Sequence, residues 1–179
     1  MSKPARRQDW ATPDWLFDLL DGEFHFGLDA AAEEWNAKCD LYLTDALNGE
    51  SWPGGNSAVW LNPPYAYELV TKFLDRARYE SDRRTVVVLL PVRSEMDWWH
   101  AYVHEASELR FIRGRVAFVP PPDHNVSPAG NRPVYNSVVA IFRTDKSSDL
   151  VKVESINAPR NRKQLTKKEA PPLPFVEDP

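Results

Sequence analysis

The sequence predicts an α/β fold built around a mostly parallel sheet, and three observations carry that expectation. Residues 85–91 (TVVVLLP) are a continuous β-branched and leucine run, as in a strand covered on both faces. From residue 25 onward, short apolar segments are repeatedly followed by helical ones, the alternation of a parallel sheet wrapped by helices. The last two apolar segments are joined by a long loop with no helical pattern (VPPPDHNVSPAGNRPVYN), so the sheet is expected to end in a C-terminal antiparallel strand pair.

Taken in order, residues 1–9 are polar and basic. Residues 12–24 open with a Thr cap and a Pro at the first helical position, then carry apolar residues at helical spacing, which predicts a short helix. An apolar strand from residue 25 runs into Asp29 and an alanine-rich helical turn. A second short strand spans Leu41 to Leu43 and ends at Asp45; PGGNS (53–57) is a turn. A third strand covers 58–61, followed by an amphipathic helix over 66–80 with Leu69, Phe73 and Leu74 on one face. After the central strand at 85–91, a helix is expected over 95–106 and strands at 108–112, 116–119 and 137–142. One domain over 1–145 results, with the charged, proline-rich residues 146–179 as a flexible tail.

A chain of 179 residues suffices for one domain, which buries roughly 70% of the surface its unfolded form exposes. The single cysteine, Cys39, excludes an intramolecular disulfide and suits a reducing compartment. The start lacks an apolar leader and no stretch approaches transmembrane length, so a soluble, cytoplasmic protein is expected. Lys plus Arg number 22 against 26 Asp plus Glu, a formal charge of −4 that weighs mildly against a nucleic-acid partner. The positive charge is clustered, however, at 76–84, 110–115 and 160–168, and local patches neutralise phosphates whatever the total. Solvated faces account for each run equally well.

The segment AVWLNPPYAYE (58–68) stops an apolar run on Asn62, two prolines and Tyr65. Pro64 forces Pro63 into an extended conformation, and both rings fix φ near −65°. The Pro63 carbonyl is thereby aimed beside the Asn62 side-chain oxygen. Two such acceptors match the two hydrogens of an exocyclic NH2 group, and Tyr65 adds a flat face for a ring to stack on. An aromatic amine is a poor nucleophile because its lone pair is delocalised; accepting both hydrogens localises that pair for attack on an electrophile held opposite. Asp29, Asp45 and Asn62 all end strands, the side of an open parallel sheet where ligands bind.

NPPY after an apolar strand is similar to the catalytic motif of amino-group methyltransferases that use S-adenosylmethionine. With DWATPDWLFDLLDGEFHFGLDAAAEEWNAKC, WLNPPYA, VVVLLPVR and FIRGRVAF in order, residues 8 to 143 resemble the phage-type DNA N6-adenine methyltransferase (Dam) family. The resemblance implies a Rossmann-like, S-adenosylmethionine-dependent fold and methyl transfer to N6 of an adenine flipped out of DNA, double-stranded by expectation. A monomer or homodimer is expected, since a chain this small with no separate recognition domain gains DNA surface by pairing; if phage-encoded, it is expected to work in the bacterial host cytoplasm. Asn62, Pro63 and Tyr65 align with the catalytic loop. Asp29 and Ala30 fall at the first cofactor-binding motif, although LDAAA lacks its usual glycines. Asp45 resembles the acid that contacts the cofactor adenine, and Glu33 and Asp40 are weaker candidates for the ribose. Trp10, Thr12 and Pro13 resemble the segment that closes over the methionine end.

For the DNA-facing surface the expected residues are Arg93, Trp98 and Trp99, then His124, Asn125, Asn131 and Arg132 in the long loop. Asn and Arg are the side chains that read A and G edges, while Arg113 and Arg115 suit phosphates. Trp98 and Trp99 are adjacent, so at most one is expected to face the core. His100 and His104 are four apart but lack a third ligand, and no metal is expected. Asp29 and Asp45 also suit simple caps or turn residues. The residues leave open a methyltransferase for cytosine N4 or protein glutamine, or a non-catalytic nucleic-acid-binding protein on the same scaffold.

Overall fold

The computed structural model describes residues 10–49, 51–123, 134–145 and 151–158. Among them the chain forms α1 (Asp14–Phe24), β1 (Phe26–Asp29), β2 (Ala58–Leu61), α2 (Tyr67–Ser81), β3 (Val86–Pro91), α3 (Asp97–Tyr102), a 3₁₀ turn (Val103–Glu105), β4 (Glu108–Arg113), β5 (Ser137–Phe142) and β6 (Lys152–Asn157). The six strands make one sheet in the order β1-β2-β3-β5-β4-β6. Parallel pairing links β1 to β2, β2 to β3 and β4 to β6; β5 runs antiparallel to both β3 and β4. Five strands therefore end at one edge of the sheet, where β5 begins.

The uninterrupted apolar run of β3 follows from its place in the middle of this sheet. All six of its residues are buried. Val86, Val88 and Leu90 face a core shared with Val70, Phe73, Leu74 and Ala77 of α2. Val87 and Leu89 face the opposite core with Leu16, Phe17 and Leu20 of α1. The spacing 70, 73, 74, 77 is one helical face. Leu69, expected on that face with Phe73 and Leu74, is 37% exposed and belongs to the adjoining one.

Several elements depart from expectation. Thr12 does not cap α1; Pro13 is the N-cap residue, in extended conformation (φ −67°, ψ 143°), with no side-chain cap bond. The strand expected at 41–43 is a single parallel bridge, Asp29 to Tyr42. Among the described residues the strand expected at 116–119 forms no ladder. Val116 and Phe118 are buried and Ala117 exposed, a strand-like alternation, but Gly114 (φ +106°) turns the chain out of the sheet and only Val119 bridges, to Ala11. Helix 95–106 is broken into α3 and the 3₁₀ turn.

The expected domain limit at residue 145 is also corrected, because β6 lies in the segment read as tail. Its strand character does not appear as an apolar run, since Ile156 is its one buried residue (8% exposed). Its register with β4 spans Glu108↔Lys152 to Arg113↔Asn157, so backbone ladder bonds rather than apolar content hold it. Among the described residues no helix is long and apolar enough to cross a membrane.

Candidate active site

Where β1 and β2 end side by side, the chain opens a cleft of about 400 Å³. One wall follows β1: Ala31, Ala32, Glu33 and Asn36. Leu43, Thr44 and Ala46 line it from the segment that bonds alongside the end of β1, while Asn62 and Pro64 come from the end of β2, Phe73 from α2 and Trp10 from the N-terminal segment. A small niche of about 10 Å³ adjoins it, lined by Trp10, Thr12, Asp29, Lys38, Trp60 and Asn62 among others. A niche that size holds a single water or one polar ligand group.

Asn62 is oriented from both ends of its amide. Its Nδ2 donates to the Trp10 carbonyl at 3.2 Å, and its Oδ1 accepts the Tyr65 hydroxyl at 2.8 Å. The Tyr65 hydroxyl is also 3.3 Å from the Leu89 carbonyl of β3, and its ring stands edge-on to Phe118 at 6.4 Å. Burial pushes the Tyr65 phenol above its ordinary range, so it stays a hydrogen-bond donor. A carbonyl oxygen has two lone pairs, so Oδ1 retains one for a substrate amine. Pro63 is buried and Pro64 reaches the cleft.

The segment carrying Trp10 is fastened in turn. Ala11 and Val119 exchange both backbone bonds, at 3.0 and 2.9 Å. Thr12 is 2% exposed, and among the described residues its Oγ1 has no hydrogen-bond partner. Pro13 lines neither cavity; its carbonyl receives the first N–H groups of α1, from Leu16 and Phe17.

Asp29 is also 2% exposed. Burial raises its carboxyl from the usual 3.8 to about 6, against the opposing pull of the backbone N–H groups of Lys38 (3.0 Å) and Ala31 (3.3 Å). Ala30 is fully buried and bonds the Trp60 carbonyl; the next two alanines, not Ala30, reach the cleft. Asp45 is exposed and its carboxylate accepts from Asn48; its neighbours Thr44 and Ala46 line the cleft while Asp45 does not. Of the two acids considered for a ribose, Glu33 lines the cleft and Asp40 does not. Asn36, Leu43 and Phe73 were not anticipated, since nothing local in the sequence marks a turn residue or a helix-face phenylalanine as cleft lining.

The surface residues divide. Arg93 follows β3, bonds Glu95 and lies 4.3 Å over the Tyr135 ring. Arg113 and Arg115 are exposed at the end of β4, three strand spacings from β2 or roughly 14 Å along the same edge. Trp98 and Trp99 are corrected: both are buried, at 4% and 6% exposure, in the α2-side core. Successive helical residues are 100° apart, and a helix's apolar stripe is wide enough to hold both. Neither ring offers a face to DNA. His124, Asn125, Asn131 and Arg132 lie outside the described residues. His100 and His104 stack at 5.4 Å, and among the described residues no cluster of three or more His, Cys, Asp or Glu suits a metal ion. Burial, then the charges of Asp29, Asp21 and Asp40, push the Cys39 thiol up to about 12, which disfavours the thiolate that attack on cytosine C5 needs.

An open, mostly parallel sheet with one reversed strand, a cleft at the strand ends and an Asn-Pro-Pro-Tyr turn on its rim together define a Rossmann-like methyltransferase. A sequence model described as DNA N-6-adenine-methyltransferase (Dam) matches residues 2–170, and the chain belongs to that family. It is 32% identical over 123 residues to the DNA N-6-adenine-methyltransferase of Haemophilus phage HP1 (strain HP1c1), across 66% of this chain and 70% of the relative. It is 27% identical over 165 residues to the DNA N-6-adenine-methyltransferase of Escherichia phage T1, across 82% of this chain and 67% of the relative.

Proposed function

We propose that this protein transfers a methyl group from S-adenosylmethionine to N6 of an adenine flipped out of DNA, with Asn62 as the central catalytic residue. The observation that carries the reading is the two-sided fixation of the Asn62 amide on the rim of the cleft. Family membership supplies the substrate and reaction class.

The residues present fit the cofactor. Thr12 offers an orphaned buried hydroxyl and Asp29 a buried carboxylate beside it, suited to the polar methionine end. Leu43, Ala46 and Phe73 offer apolar surface for a purine, and Glu33 an acceptor for ribose hydroxyls. When bound, the cofactor supplies an electrophilic methyl on a positively charged sulfur. Asn62 Oδ1 and the Pro63 carbonyl accept the two N6 hydrogens, which draws the nitrogen lone pair out of conjugation with the ring. Both acceptors are held before the substrate arrives, so little reorganisation accompanies the developing positive charge. Arg113 and Arg115, on the same sheet edge, suit phosphates flanking the extruded base. Such an enzyme would work wherever the host keeps its DNA, in the cytoplasm of a bacterium for a phage-borne gene.

The test is transfer of labelled methyl from S-adenosylmethionine to duplex DNA by the purified chain, with nucleosides identified by mass spectrometry. N6-methyladenine is the expected product. Methylation confined to cytosine, or none with cofactor bound, would overturn the assignment.

A further inference from the structure

We propose that Trp52, anchored by Glu80, is a positioning residue for the cofactor cleft. Its indole N–H holds the carbonyl of Ala46, and with it the wall formed by Thr44 and Ala46. The inference rests on the reading of that cleft as the S-adenosylmethionine site.

Neither Trp52 nor Glu80 lines the cleft, yet both are buried, at 3% and 0% exposure. Trp52 Nε1 donates to Ala46 O at 2.8 Å. The Trp52 backbone N–H donates to Glu80 Oε1 at 2.8 Å, and its carbonyl accepts from Arg84 Nη2. Arg84 also donates to the Pro53 carbonyl at 2.7 Å and to Glu80 Oε2 at 2.9 and 3.2 Å. Arg76 completes the clasp: it donates to the Gly49 carbonyl at 3.1 Å, pairs with Glu80 at 3.1 Å and lies 5.8 Å over the Trp52 ring.

A fully buried carboxylate ringed by arginines is costly to desolvate and is a poor way to gain stability alone. Here the charges are spent on backbone carbonyls of a connection between the cleft wall and β2. Glu80, Arg76 and Arg84 belong to α2 or its C-terminal turn, the helix that starts two residues after Tyr65 and carries Phe73 into the cleft. The clasp therefore ties the Thr44–Ala46 wall to the helix that follows the NPPY turn. Hydrogen bonds at Ala46 O set the height of that wall, and a wall free to move would bind a purine less tightly without touching the methyl-transfer geometry at Asn62.

The experiment compares the full-length wild type with Trp52→Phe, which keeps an aromatic ring and removes the Nε1–H donor. Binding of S-adenosylhomocysteine is measured by calorimetry, alongside kcat at saturating cofactor, KM for DNA and Tm. Ile156→Val, on the far edge of the sheet, serves as a destabilised control. Loss of one hydrogen bond to the wall predicts roughly 3- to 10-fold weaker cofactor binding in Trp52→Phe, with kcat at saturation and KM for DNA unchanged. The control lowers Tm and leaves cofactor affinity unchanged. Folded Trp52→Phe with wild-type affinity would overturn the proposal, as would a fall in kcat without a change in affinity. If Trp52→Phe does not fold, Arg76→Lys, which loses the Gly49 bond and keeps the charge, must show the same affinity-only effect. Absence of cofactor binding by the wild type would instead overturn the reading of the cleft.

Discussion

The side-chain amide of Asn62 donates to the backbone carbonyl of Trp10, 52 positions earlier in the chain, at 3.2 Å. A backbone acceptor cannot be lost by side-chain substitution, so the orientation of this amide is built into the path of residues 10–12. That path is fastened by the Ala11–Val119 pair, and Trp10 itself lines the cleft. The cleft proposed for the cofactor and the group proposed to hold the target amine therefore share one strap.

Asn62→Ala removes the amine acceptor, its own part of the cleft rim and the bond to the Trp10 carbonyl. Methyl transfer is expected to fall by about 10²- to 10³-fold, the usual cost of one preorganised polar group. Cofactor affinity should fall by no more than about 10-fold, the worth of the one bond that steadies Trp10 at the cleft. Single-turnover rates with calorimetric cofactor binding separate the two, and near-normal turnover would remove Asn62 from the mechanism.

Thr12→Val tests the buried hydroxyl of the niche. Among the described residues Thr12 Oγ1 has no protein partner, and the niche beside it has room for one water or one polar ligand group. Removing a hydroxyl that bonds the cofactor should lower cofactor affinity several-fold while kcat at saturating cofactor changes little. Calorimetric binding with saturation kinetics separates the two, and wild-type affinity in a folded variant would count against this role for Thr12.

Asp29 gives a pH signature whose sign runs opposite to that of most carboxylates. Its folded value is raised from 3.8 to about 6, so between those values the folded state holds more protons than the unfolded one. Stability contributed by the neutral form is thus lost as pH rises from about 4 to about 6, and little changes above. Relative to wild type, Asp29→Asn should gain stability across that window in urea melts. Cofactor affinity should follow the reverse course, weakening below pH 6 in the wild type as the carboxylate is protonated. A flat difference between the two proteins would mean that Asp29 does not titrate there.

Arg110→Met tests the charged cluster at the opposite edge of the sheet. Arg110 bonds Glu108 at 2.7 Å and both oxygens of Glu23, at 2.5 and 2.7 Å. Bonds from Arg110 hold the Glu23 carboxyl below its ordinary 4.5; burial raises Glu108, but bonds from Arg110 and Arg143 outweigh it and lower that group too. Both contributions are present above the ordinary value and lost as pH falls through the lowered ones. Removing Arg110 strands Glu108, and a loss of about 2–3 kcal/mol is expected, at the low end for a broken buried pair because Arg143 and Lys152 remain. Urea midpoints at pH 7 and pH 3 should differ less in the variant than in the wild type.

What was legible in the sequence was whatever left an apolar or conformational mark. β3 is buried on both faces, so its run has no polar interruption, and the two prolines announce a rigid turn after β2. Asn62 stood out for the same reason. Asp29 was identified by its place at a strand end, and the structure adds the burial that sets its chemistry. Asp45, expected from the resemblance to contact the cofactor adenine, lies off the cleft, its carboxylate accepting from Asn48. Asn36 and Phe73 reach the cleft by tertiary packing alone. Trp98 and Trp99 are both buried although adjacent, because neighbours point to opposite sides in a strand and not in a helix. The Glu80 clasp was hidden inside a charged run that resembles any solvated helix face.

β6 has a consequence for anyone shortening this chain. A boundary at residue 145 cuts in front of Lys152–Asn157 and strips the outer side of β4 over its whole length, Glu108 to Arg113. That would leave a new sheet rim carrying unpaired amides and the side chains of Leu109, Phe111 and Ile112, a template on which a second molecule can stack strand to strand. In the intact chain the outermost strand bears Lys152 and Glu154, charges of the kind that discourage such docking. The stretch that looks most dispensable by composition therefore contains the strand that covers β4.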